Sequence, residues 1–317
     1  MFFLLRQSAV LVPALSLLGA YPAGVTTPAP TTPERLVAEA VIQEVGKDQH
    51  QVYLPVVLHG HAGTLILHFF QAQVKLLLSS DAMAQAGVAS DGTLDSLTIG
   101  KTVAHDLPIS SISLAETSPA GLPPVIGIAG NEFLDEYDIV VDGPAHRVRL
   151  YAPTSRPSMA SAGTLGKGLP PGVKAADCVS TQPMPEGHTG FAIQANGKPM
   201  TATMQTAAGG LTIINLVAAQ SLGLTQHSPN VQRVPDSLQT LAYQGVPNKY
   251  VATGIHLTLG RYPFREDSVY ILARTPLQPT PATPSIELTF ENLLDQVFVQ
   301  SNSTGQVCLA DPHASRR

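Results

Sequence analysis

Gly127-Ile128-Ala129-Gly130-Asn131-Glu132-Phe133-Leu134, followed after three residues by Asp138-Ile139-Val140-Val141-Asp142, is the stretch that decides the fold. Glycines punctuate an apolar first block, and the second block is an almost unbroken β-prone run that ends at the turn dipeptide Asp142-Gly143. Part of it returns: Phe133-Leu134-Asp135 recurs as Leu293-Leu294-Asp295, 160 residues on. Leu97-Thr98-Ile99-Gly100-Lys101 recurs at the same offset as Leu257-Thr258-Leu259-Gly260-Arg261. Further upstream, Gly60 matches Gly197 at an offset of 137, and Gly87 matches Gly223 at 136. A shared spacing over several segments is the signature of a duplicated structural unit. The change from 136 to 160 puts about 24 extra residues of the second copy between Gly223 and Gly260.

The local patterns of the two copies agree. Tyr53 to Leu58 and Thr64 to Phe70 read as strands flanking the turn His59-Gly60-His61-Ala62-Gly63, and Phe191 to Met204 reads as a hairpin turning at Asn196-Gly197. A short helix follows in each: Ser79 or Ser80 caps Asp81 to Ala86 before Gly87, and Asn215 caps Leu216 to Leu222 before Gly223. Closing hairpins are expected from Asp138 to Asp142 with Arg147 to Tyr151, and from Gln296 to Gln300 with Gln306 to Leu309. The units span residues 34–152 and 176–311, joined by a Pro/Gly/Ser-rich linker at 153–175 and followed by a tail at 312–317.

Composition agrees with a β protein of ordinary core size. Among 317 residues, 26 Gly and 27 Pro are many turn-formers for a helical chain, while 44% hydrophobic residues argue against disorder. A charged fraction of 13% with a net of −5 leaves no basic field for nucleic acid. Arg6, the apolar run Ser8 to Ala20 and the small residues after it read as a signal peptide over 1–23, followed by a Thr/Pro-rich linker at 24–33. The run is too short to span a bilayer comfortably, so the mature chain carries no integral span; an uncleaved anchor is the alternative. The chain is expected in the periplasm or secreted. Cys178 and Cys308 have no metal-ligand spacing; an even count in an exported chain suggests a disulfide, with two buried thiols as the other possibility.

A hairpin, an apolar strand, a capped helix ending in Leu-Gly-Leu and a late Gly-x-x-Gly-x-x-Phe-Leu segment resemble one lobe of the retropepsin-like aspartic proteases. Two such units in one chain resemble the pepsin-type, two-lobed arrangement. The resemblance implies a mainly β, bilobal fold with two retropepsin-like lobes, each with a short helix. In the second copy only Asn292-Leu293-Leu294 persists and the glycines are missing. The family carries Asp-Thr-Gly or Asp-Ser-Gly between strand and helix, once per lobe. Here the corresponding windows are Phe69-Phe70-Gln71-Ala72 and Gln205-Thr206-Ala207-Ala208, within one residue of register, and neither holds a carboxylate. The dyad positions are therefore Phe69, Phe70, Gln205 and Thr206. Two facing carboxylates sharing one proton supply the base and the acid. Phe accepts no proton, and Gln and Thr are poor bases near neutral pH.

The resemblance then implies an exported, aspartic-protease-like protein without proteolytic activity, with a cleft between the lobes for a peptide or partner segment. Phe70, Gln71, Ala72, Ala207, Ala208 and Tyr243 would line that cleft, the last through a flap-like turn Tyr243-Gln244-Gly245. Such a floor is apolar and favours hydrophobic peptides, unless Phe69 and Phe70 fill it. Two alternatives stand beside this reading: an active aspartic-type endopeptidase with carboxylates from elsewhere, and a structural envelope protein. No cofactor or metal is expected, because His59 and His61 read as exposed turn residues. His68 reads as a packing residue, and Asp138 and Asp142 as hairpin-turn residues.

Overall fold

The computed structural model describes residues 36–46, 49–69, 75–89, 91–114, 118–153, 177–184, 189–205, 211–234, 250–264, 268–272 and 283–310. The expected signal peptide at 1–23, the segment 24–33, the linker from 154 onward and the tail at 312–317 lie outside them, as do Phe70, Gln71, Ala72, Thr206, Ala207, Ala208 and Tyr243. The described chain is mainly β. The first half runs β1 (Leu36–Gly46), β2 (Gln49–Leu58), β3 (His61–Leu67), β4 (Leu76–Ser79), α1 (Ser80–Ala86), β5 (Asp91–Ile99), β6 (Thr102–Ile112), β7 (Val125–Ala129), α2 (Asn131–Leu134), β8 (Asp138–Asp142) and β9 (Arg147–Tyr151). The second half runs β10 (Asp177–Pro183), β11 (Thr189–Ala195), β12 (Lys198–Gln205), β13 (Ile213–Asn215), α3 (Leu216–Ser221), β14 (Val231–Arg233), β15 (Tyr250–Thr253), β16 (Leu257–Leu259), β17 (Tyr262–Pro263), β18 (Ser268–Leu272), β19 (Ser285–Thr289), a 3-10 turn Phe290–Leu293, β20 (Val297–Ser301) and β21 (Gln306–Ala310).

Local chemistry explains most of these boundaries. The β2–β3 turn is two residues, His59-Gly60, rather than the five the sequence suggests, and His61 to Gly63 continue as strand. Its φ angles of 47° and 85° match Asn196 and Gly197 in the β11–β12 turn, at 47° and 75°. Positive φ at both positions gives the primed turn whose twist suits a two-residue hairpin. Ser79 accepts the Ala82 N–H at 3.2 Å to start α1, and Gly87 at φ 68° ends it. Asn215 accepts the Ala218 N–H at 2.7 Å to start α3, which stops one residue before the expected Leu222.

The duplicated order is visible in the pairing. In each half a middle strand has the first hairpin on one side and the helix-leading strand on the other: β3–β7–β4 in the first, β12–β19–β13 in the second. The extra residues of the second copy form part of an added hairpin, since β14 pairs antiparallel with β15 and has no counterpart in the first half. One sequence match is corrected. Turn Gly100 and turn Gly260 keep the offset of 160, but from β19 onward the offset is 159: Thr289 stands where Gly130 stands, Phe290 where Asn131 stands, and β20 begins 159 residues after β8. Leu134 thus corresponds to Leu293, not Leu294. Gly127 needs its bareness, because a Cβ there would lie 2.2 Å from the Leu77 carbonyl.

The two lobes are welded through one sheet in the order β1–β9–β8–β20–β21–β10, with β8 and β20 antiparallel from Asp138↔Ser301 to Asp142↔Val297. A single main core runs through both lobes, from Phe133 and Ile139 to Phe290 and Phe298. Reciprocal turn contacts lock this seam. Asp142 caps its own turn, accepting the Ala145 N–H at 3.3 Å, as a turn residue should. Asp138 does not; it is fully buried and accepts from Ser301 Oγ at 3.1 Å, from the Ser303 N–H at 3.0 Å and from Ser303 Oγ at 2.7 Å, all in the other lobe. Asn302 Nδ2 donates to the Leu134 and Tyr137 carbonyls at 3.1 and 2.8 Å. In return the Gly143 N–H donates to Gln296 O at 3.0 Å, so close that a Cβ at 143 would meet Leu293 O at 2.1 Å.

Cys178 and Cys308 face each other in register on β10 and β21 and form a disulfide, so the bridged alternative is the one realised. It closes a separation of 130 residues, for which the chain-entropy model gives roughly 4 to 5 kcal/mol at most. Reduction, or a Cys178→Ser/Cys308→Ser double variant, lowers unfolding free energy by up to that amount in urea titrations. Asp138→Ala leaves three buried donors without their acceptor and costs about 3 kcal/mol in the same assay; Asp138→Asn, which keeps one acceptor oxygen, costs less.

Candidate functional site

Both windows singled out by sequence begin where a strand of the duplicated pattern ends. In the first half the connection 68–75 carries the chain from one neighbour of β7 to the other; in the second, 206–212 does the same around β19. Gln205 is the last residue of β12 and pairs with Thr289. Leu67 is the last of β3 and pairs with Ala129, and the His68 N–H then donates to the Ala129 carbonyl at 2.9 Å. Strand register therefore aligns His68 with Gln205, whereas spacing back from the helix caps Ser79 and Asn215 aligns Phe69 with Gln205. The difference is one extra residue in the first connection.

Phe69 points into the seam. It is buried, and its ring lies 5.9 Å from that of Phe290, tilted by 30°. Phe290 opens the 3-10 turn directly after β19, so the contact crosses from one lobe to the other at the end of their middle strands. Rings at this distance and tilt attract beyond the area they bury. Of the sequence-nominated residues, the structure brings Phe69 to the seam, ends β12 at Gln205 and bonds Cys178 to Cys308; the others are outside the described residues.

Several residues that the sequence did not single out hold the second connection. Asn292 Oδ1 accepts the Thr289 N–H and the Thr212 hydroxyl, each at 2.8 Å. Asn215 Nδ2 donates to Ser285 Oγ at 2.6 Å and to the Thr283 carbonyl at 2.8 Å. Thr203, Thr212, Asn215, Ser285, Glu287, Thr289 and Asn292 are all buried, a polar layer where the first lobe is largely apolar. The signal that could have found them was the loss of the glycines, read forward to what replaces them. Behind the first connection, burial and then the neighbouring Glu136 push the Tyr137 hydroxyl up to about 12, and partial desolvation and then Glu132 raise the Asp135 carboxyl. Both belong to the end of α2, away from the window. His59 and His61 are exposed on the β2–β3 hairpin, and among the described residues no three His, Cys, Asp or Glu side chains gather to hold a metal.

Phe69→Ala removes a buried aromatic from the seam and costs about 3 to 4 kcal/mol of stability. Combined with Phe290→Ala in a double-mutant cycle, the pair shows a coupling of about 1 kcal/mol by chemical denaturation; additive losses would mean the rings do not act together.

No protein-family model and no curated protein sequence matches the chain. Among solved structures it is similar to basic 7S globulin from soybean, with TM-score 0.47 and 10% identity over 88% of this chain and 96% of that one. It is also similar to an aspartic proteinase from Irpex lacteus, with TM-score 0.47 and 10% identity over 86% and 96%, and to edgp, with TM-score 0.48 and 9% identity over 89% and 97%. The pairing described above, two β lobes of one strand order joined by a shared six-stranded sheet, is the two-lobed aspartic-protease-like fold.

Proposed function

We propose that the chain is an exported aspartic-protease-like protein, periplasmic or secreted, that does not cleave peptides and that binds an extended peptide or protein segment in the groove between its lobes. The observation that carries this reading is the Phe69–Phe290 contact. An aspartic dyad needs two carboxylates facing each other across the seam and a water between them. At that place one lobe offers a buried phenylalanine ring, packed on another, and neither window contains an acid. The aromatic pair fills the centre of the floor, so a bound segment lies alongside it and hydrogen-bonds through its main chain. The disulfide supports an oxidising compartment. No helix among the described residues is long and apolar enough to cross a membrane.

A second reading, an endopeptidase with a carboxylate from elsewhere in the fold, has one specific candidate in the buried Glu287 of β19. Purified mature protein, assayed on casein and on a mixed peptide library from pH 3 to 7 with and without a statine-type inhibitor, is expected to show no inhibitor-sensitive cleavage. Cleavage that is blocked by the inhibitor and lost in Glu287→Gln would replace the first reading with the second.

A further inference from the structure

The two lobes present unlike faces beside the seam. In the first lobe Tyr53, Ile66, Ile128 and Leu77 are cross-strand neighbours on β2, β3, β7 and β4, and they form an apolar cluster separate from the main core. In the second lobe the corresponding row is Thr203, Glu287 and Ile213, neighbours on β12, β19 and β13. The 159-residue register matters here, since a slip of one residue exchanges the faces of a strand. It sets Glu287 against Ile128 and Thr203 against Ile66. Residues on the opposite side of the same strands, Ala202, Met204, Ile286 and Leu288, belong to the main core. Thr203 and Glu287 therefore face away from it, and Glu287 lies only three residues before Phe290 at the seam.

Isoleucine serves the packing of this position in the first lobe, so the fold itself does not call for an acid. A carboxylate taken out of water costs several kcal/mol unless donors surround it. We propose, resting on the binding function above, that Glu287 and Thr203 form the wall of the groove that receives a Lys or Arg side chain of the bound segment, while the Ile66–Ile128 wall receives an apolar one. A carboxylate with a hydroxyl beside it is an acceptor pair suited to an ammonium or guanidinium. Glu287 has polar contacts of its own within the chain, which an incoming cation joins or exchanges. Successive side chains of an extended segment point to opposite sides. The preferred ligand then carries a basic residue next to a large apolar one, in contrast to the wholly hydrophobic peptide that the window composition alone suggests.

Fluorescence anisotropy of labelled peptides on the mature full chain tests this, with Leu-Lys, Leu-Arg, Leu-Gln and Leu-Glu at the centre of otherwise identical sequences. Wild type binds the Lys and Arg peptides at least tenfold more tightly than the Gln peptide, and Glu287→Gln brings the four within about threefold while leaving the Leu-Gln affinity unchanged. Circular dichroism and thermal unfolding establish that the variant is folded; if it is not, Thr203→Val, which spares the carboxylate, is expected to reduce the preference about threefold. Binding by wild type without a basic preference, or a preference that survives Glu287→Gln, overturns the assignment of this wall and leaves the groove reading intact. Absence of binding to every peptide overturns the groove reading itself.

Discussion

Everything in this molecule hangs on the antiparallel pairing of β8 with β20, because it is the place where two similar lobes become one protein. Five residue pairs alone would be a modest link. What fixes them is an exchange at the two ends. The closing turn of the second lobe delivers Ser301 and Ser303 to the buried Asp138, and the closing turn of the first delivers the Gly143 N–H to Gln296. A carboxylate that accepts three or more hydrogen bonds can be held away from water at tolerable cost, whereas the same group unpaired could not. With the turns seated, the middle strands of the lobes end side by side, and Phe69 has no place to go except against Phe290.

From that common frame the lobes have diverged in opposite chemical directions. The first keeps small residues and aliphatic side chains around its connection, including a glycine at 127 that lets the Leu77 carbonyl pass close. The second has replaced them with hydroxyls and amides that hydrogen-bond one another, so Asn292 binds both Thr289 and Thr212 across the connection. Buried polar groups are tolerated only when satisfied, and a satisfied network fixes geometry more narrowly than aliphatic packing does. The second connection is thus tied at both ends by directional bonds.

How much of this could be read beforehand follows the range of the interactions. The Asn196-Gly197 turn, the Ser79 and Asn215 caps and the β8–β9 hairpin are decided within a few residues, and they were legible. The role of Asp138 was not, since its partners lie more than 160 residues away and its neighbourhood looks like an ordinary hairpin start. The slip from 160 to 159 was hidden because consecutive leucines at 293 and 294 fit either spacing. Phe290 escaped because nothing local distinguishes a ring that fills a seam from one that fills a core. Phe69 stood out only because a carboxylate was expected near it.

The shared sheet also has a consequence for how the chain is made. Each lobe returns to its own beginning, β9 beside β1 and β21 beside β10, so the first lobe can close long before the second exists. Until Val297–Ser301 arrives, some 155 residues after Asp142, β8 is an open edge whose Ile139, Val140 and Val141 are all buried in the finished protein. Bare apolar edges of this kind pair with whatever strand comes first, including the same edge of another copy. A half-made chain is therefore a temporary aggregation hazard, and its escape from that state is the arrival of its own last hairpin.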